Sequence, residues 1–213
     1  MNSKPFFFLF LFASLNLLSG QTSLEAKKLL EGASKQMESY NNITFDFSYV
    51  LNNRTEQINQ ESSGQVMVSQ EKYRLNFLDV IQLFDGSKLY TIVPENEEIS
   101  VTQVDEEEDF GINPKALLQF YKEGYDYQWD INQKIKGKTI QFVKLVPTEE
   151  EVDLKSMLVG IDIKKNHIYK LIEVGKNGTI TTLTIDKIEV NIPIPEQFFV
   201  FNEKDYPDYY INN

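Results

Sequence analysis

The stretch Ile43-Thr44-Phe45-Asp46-Phe47-Ser48-Tyr49-Val50-Leu51 decides how this chain is to be read. Ile43, Phe45, Phe47, Tyr49 and Leu51 fall at every second position, with Thr44, Asp46, Ser48 and Val50 between them. Successive side chains of a strand point to opposite faces, so this spacing is a strand with one apolar face. The pattern returns. Tyr73, Leu75 and Phe77 alternate with Arg74 and Asn76, and Tyr125, Tyr127, Trp129 and Ile131 alternate with Asp126, Gln128 and Asp130. Further strands are expected near 63–69, 79–84, 87–93, 97–104, 138–146, 157–164, 168–175, 179–190 and 197–202.

Turn chemistry separates these runs. Asp85-Gly86 and Asn177-Gly178 are the dipeptides that a tight hairpin prefers, because both supply backbone with positive φ. Strands joined by such short turns must run antiparallel, since parallel neighbours need long crossovers. Two helices are predicted. Thr22-Ser23-Leu24-Glu25 reads as a capping box, and Leu29, Leu30, Ala33 and Met37 then recur at helical spacing up to about Tyr40. Asn113-Pro114 starts a second helix, with Asn as cap and Pro at the first position, and Leu117, Leu118 and Tyr121 share one face up to about Gly124. The acidic stretch 148–156 is expected to be a loop.

A large sheet with one apolar face must be covered. Two short helices cover it incompletely. The expected architecture is therefore mainly β, a strongly curved antiparallel sheet or half-open barrel with a helical lid over an apolar interior.

The first residues read as a targeting signal. Lys4 precedes the apolar run Phe6–Leu18, and the small residues Ser19 and Gly20 follow it. The run is too short to span a bilayer comfortably, and a cut is expected near Gly20–Gln21. Residues 21–213 then form one domain, placed in the periplasm. The full chain carries 21 Lys and Arg against 32 Asp and Glu, a net charge of −11. That balance disfavours nucleic acid and anionic headgroups as partners. With no cysteine, neither a disulfide nor a lipidated cysteine is available.

Catalytic chemistry finds little to work with. His167 is the single histidine, and a histidine-based metal site needs companions. The run Asp105-Glu106-Glu107-Glu108-Asp109 lacks the alternating ligands and glycine of a calcium loop and reads as solvated. There is no Gly-x-Ser-x-Gly elbow and no phosphate-binding Gly-x-x-x-x-Gly-Lys run. A pair of carboxylates acting as a hydrolase stays open. No cofactor and no metal are expected, and the chain is not read as an enzyme.

The order of elements resembles the LolA family of periplasmic lipoprotein carriers across essentially all of residues 21–213. Three stretches carry the likeness: NNITFDFSYVLNN (41–53), GQVMVSQEKYRLNF (64–77) continued by LFDGSKLYTIVPENEEISV (83–101), and GTITTLTIDKIEVNIPIPEQFFVFN (178–202). In the second, the Asp85-Gly86 turn, Tyr90 and Pro94 match a family hairpin. NPKALLQFY (113–121) falls where the family has its lid helix. The resemblance implies a half-open barrel of about eleven strands with helices over its concave face. It also implies the task, which is to take a lipoprotein from an inner-membrane release complex, hide its acyl chains and pass it to an outer-membrane receptor.

Cavity or lid candidates are then Leu29, Leu30, Met37, Phe45, Phe47, Tyr49, Met67, Leu117, Leu118, Tyr121, Tyr127 and Trp129. In the family an arginine near the end of the strand reading QVMVSQEK holds the lid shut. The matching position here is near Gln70, and Arg74 is the candidate latch. The chain is expected to be monomeric. Two other functions fit the same pattern: carriage of another lipid, such as a glycolipid or pigment precursor, and a lipid-sensing regulatory domain.

Overall fold

In the computed structural model of this chain, residues 14–104 and 120–212 are described. The first element is a helix, α1 (Ser14–Glu38). Twelve strands follow: β1 (Asn42–Asn53), β2 (Ile58–Ser69), β3 (Lys72–Phe77), β4 (Val80–Phe84), β5 (Lys88–Val93), β6 (Glu98–Gln103), β7 (Tyr125–Ile135), β8 (Lys138–Pro147), β9 (Leu154–Asp162), β10 (His167–Gly175), β11 (Ile180–Val190) and β12 (Tyr210–Asn212). They make one sheet in the order β12-β6-β5-β4-β3-β2-β1-β11-β10-β9-β8-β7.

Two antiparallel meanders build this sheet, β1 to β6 and β7 to β11, and the pairing of β1 with β11 joins them. The predicted turns are where they were expected. The Asp85 carboxylate accepts from the backbone N–H of Ser87 and Lys88, at 2.9 and 2.8 Å, while Gly86 takes a φ of 102°. Gly178, at a φ of 83°, does the same work between β10 and β11, with Asn177 accepting from Thr179 N–H. A two-residue turn at Leu78-Asp79, both residues at positive φ, joins β3 to β4. Its twist matches that of the strands although its composition does not announce it.

The register sorts the side chains into two faces. Phe45 lies opposite Val66, and Val66 opposite Leu75; Phe47 lies opposite Gly64, and Gly64 opposite Phe77. These residues share the inner face, against which α1 packs. Ala26, Leu30, Ala33 and Met37 recur at helical spacing and join Val143, Leu145, Val159 and Ile161 of the far meander in one buried core. The helix rests on β7, β9 and β10 and so covers that half of the inner face.

The strand edges and the chain ends depart from the expectation. Among the described residues the sheet has twelve strands, against the about eleven implied by the resemblance, and the last is parallel to β6. Residues 197–202 are not a strand. Glu196–Phe199 form a 3₁₀ turn, with Pro193 and Pro195 just before it. Prolines lack the N–H that a sheet ladder needs. From there the chain crosses the outer face. Phe198 lies under the Arg74 guanidinium at 5.3 Å, and Phe201 stacks on Tyr90 at 4.3 Å. Leu83, Ile92 and Ile99, which the register turns outward, are buried on that side together with Phe199.

At the other end, α1 begins at Ser14, so Thr22 lies inside the helix and does not cap it. Of the second predicted helix, 113–123, residues 113–119 lie outside the described residues, and Phe120–Lys122 form a 3₁₀ turn. The acidic run 105–109 and residues 1–13 also lie outside them. No helix among the described residues is long and apolar enough to cross a membrane.

Candidate functional site

The half of the inner face that α1 leaves uncovered holds a cavity of about 240 Å³. Five strands contribute its walls: Phe45, Phe47 and Tyr49 from β1, Val66 from β2, Leu75 and Phe77 from β3, Leu171 and Glu173 from β10, and Thr181 and Leu183 from β11. Each group is a consequence of strand periodicity. Tyr49 faces Leu183, which faces Leu171 on the next strand, so β1 and the distant β10–β11 hairpin set one apolar row.

The aromatic wall is continuous. Ring centroids of Phe47 and Phe77 are 5.3 Å apart, and those of Tyr49 and Phe77 are 5.2 Å apart in an edge-on arrangement. Both are favourable geometries for aromatic pairs. Gly64 makes this packing possible. A Cβ there would run into the Phe47 ring and come within 2.8 Å of the Asn76 carbonyl oxygen. The missing side chain lets the Phe47 ring lie over β2.

One charged group interrupts the apolar lining. Glu173 stands in β10 opposite Thr181 of β11, on the cavity side. Its side chain reaches solvent, yet burial against the wall raises its carboxyl above the ordinary value. Its negative charge, in addition to burial, also raises the Tyr125 hydroxyl.

No protein-family profile matches the chain. It is 22% identical over 210 residues, 94% of this chain and 95% of the other, to an outer-membrane lipoprotein carrier protein of Legionella pneumophila (strain Lens). The chain resembles the LolA-type lipoprotein carriers. Two solved structures share its fold. An uncharacterized conserved protein from Thermus thermophilus superposes with a TM-score of 0.56, at 9% identity, covering 88% of this chain and 99% of that one. LprF from Mycobacterium bovis gives 0.54, at 14% identity, covering 82% and 97%.

The carrier-like candidates divide by face. Phe45, Phe47 and Tyr49 line the cavity. Leu30, Met37 and Tyr121 are buried in the core, with Leu29 and Tyr127 packed against it. The Tyr127 hydroxyl donates to the Tyr121 carbonyl at 2.5 Å, tying β7 to the 3₁₀ turn. Trp129 is 41% exposed on β7, the last strand of the sheet. Met67 lies opposite Thr44 and Arg74, so the register turns it to the outer face, away from the cavity. Arg74 is on that same outer face, over Phe198. Leu117 and Leu118 lie outside the described residues.

Sequence reading missed Val66, Leu75, Phe77, Leu171, Glu173, Thr181 and Leu183 as cavity residues. Their strands were legible, but the faces of β10 and β11 depend on a register with β1 that spans more than a hundred residues. Among the described residues no cluster of three or more metal-type ligands occurs.

Proposed function

We propose that this chain is a periplasmic carrier that holds an acyl chain of a lipoprotein in the inner-face cavity and moves it from the inner to the outer membrane. The observation that carries this reading is a largely apolar cavity that, among the described residues, α1 does not fill. Exposing an acyl chain to water costs about 0.8 kcal/mol per methylene, so an aqueous crossing demands a protein wall. At about 240 Å³ the cavity has room for roughly eight groups of water size. It shelters part of one chain. Such partial burial suits a carrier, which must release its load without an energy source of its own.

The near full-length similarity to an outer-membrane lipoprotein carrier supports the same reading. In this account residues 1–20 are removed on export and residues 21–213 are the working domain. An inner-membrane release complex supplies the cargo, and an outer-membrane receptor takes it.

The test is binding of a fluorescent palmitoylated peptide to the protein and to two variants that fill the cavity, Thr181→Trp and Leu183→Trp. Each should bind about tenfold more weakly or worse, the loss of a few buried methylenes, while its thermal melt stays cooperative. Failure of the unaltered protein to bind the peptide, or equal binding by both folded variants, would sink the reading.

A further inference from the structure

Among the described residues, Glu173 is the single charged one in the cavity lining. Its neighbours there are aromatic and aliphatic, except for Thr181 directly across the ladder. None of the ion pairs among the described residues involves it. Glu173 keeps its carboxylate in contact with solvent at the mouth, and its contact with the wall raises that carboxyl above the ordinary value. A carboxylate that stays solvated at the mouth while its stem lies on the apolar wall is placed to meet the polar end of a chain held there.

We propose that Glu173 receives the polar end of the bound chain, so that the cavity accepts an acyl or alkyl chain headed by a nitrogen-bound proton, as at an amine or amide, and rejects one headed by a carboxylate. This inference rests on the carrier reading and names its ligand class more closely. An ionised carboxylate only accepts hydrogen bonds, and its strong partners are N–H donors. An acylated peptide presents N–H groups next to its chains, whereas a free fatty acid presents a second negative charge. The wall formed by Phe47, Tyr49 and Phe77 holds the chain, and Glu173 with Thr181 sets which end stays at the mouth.

The experiment compares binding of dodecylamine, dodecanol and dodecanoate, below their aggregation concentrations, to the protein, to Glu173→Gln and to Glu151→Gln. Glu151 is an exposed carboxylate away from the cavity lining and controls for net charge. The protein should bind dodecylamine at least about tenfold more tightly than dodecanoate, the worth of one charge-assisted hydrogen bond. Glu173→Gln should bring that ratio near one without changing dodecanol binding, and Glu151→Gln should keep it. A ratio retained in Glu173→Gln, or lost equally in Glu151→Gln, overturns the assignment. Dodecanol binding isolates the carrier reading. If no dodecyl probe binds, that reading falls and the inference falls with it; if all three bind alike, only the inference does.

Discussion

His167 shows how one side chain acquires a role from its surroundings. Read from sequence it is a loop histidine, but it opens β10, and its Nε2 is 2.8 Å from the Tyr40 hydroxyl just beyond α1. Gln36 donates to the same hydroxyl. The His167 Nδ1 is buried with no partner among the described residues. The charged ring would place an N–H at that atom with nothing to accept it, so burial, with Lys165 and Lys138 nearby, holds the histidine below its ordinary 6.5. The unfolded chain therefore takes up the proton first as pH falls. This contribution to stability is present above 6.5 and is lost as pH drops through the lower folded value. Thermal melts at pH 7.5 and 5.5 should show a larger acid loss for the protein than for His167→Gln; equal losses would deny the role. Gly64 is a second case, set by space alone. Gly64→Ala should cost about 1–3 kcal/mol in denaturant unfolding, because both the Phe47 ring and the β3 backbone stand in the way.

At the scale of elements, the segment after β11, where the sequence predicts a last strand, is a strap. Phe199 is 4% exposed, and Phe201 continues the stack from Tyr90 to Tyr206. The strap seals the outer face of β3 to β6 and leads β12 to the side of β6, where it caps a strand that would otherwise present free backbone groups. Phe199→Ala should cost about 3–5 kcal/mol, measured by denaturant unfolding. Arg74→Ala should cost about 0.5–1 kcal/mol through the lost contact with Phe198. Because Arg74 faces away from the cavity, that variant should leave uptake of the palmitoylated peptide unchanged. A clear change in uptake would support Arg74 as the latch that the family resemblance implies.

Over the whole molecule, two meanders become one wall where β1 meets β11, and an asparagine clasp finishes the join. The Asn42 side chain donates to the Ile192 carbonyl and accepts from its N–H, at 2.9 and 3.0 Å, as a strand backbone would. The Asn191 side chain accepts from Asn41 N–H at 2.8 Å. Asn42→Ala should lower stability by about 1–3 kcal/mol, since it strands two backbone groups at the closure; an unchanged denaturation midpoint would show the clasp to be dispensable. What the amino-acid order determined by itself is local. Period-two alternation made the strands, Asp85-Gly86 and Asn177-Gly178 placed their hairpins, and the spacing of Leu30, Ala33 and Met37 chose the buried side of α1. The mainly β architecture with an apolar inner face follows from those choices, because each is written within a few residues. Tertiary structure alone decided which strands flank the cavity, that Met67 and Arg74 face outward, that residues 197–202 strap the outer face, and that Glu173 stands in an apolar wall. The cavity wall and the strap depend on contacts between segments more than a hundred residues apart, and the facing of Met67 and Arg74 on the register of β1, β2 and β3; a strand's own alternation says only that it has two faces, not which one meets the cavity.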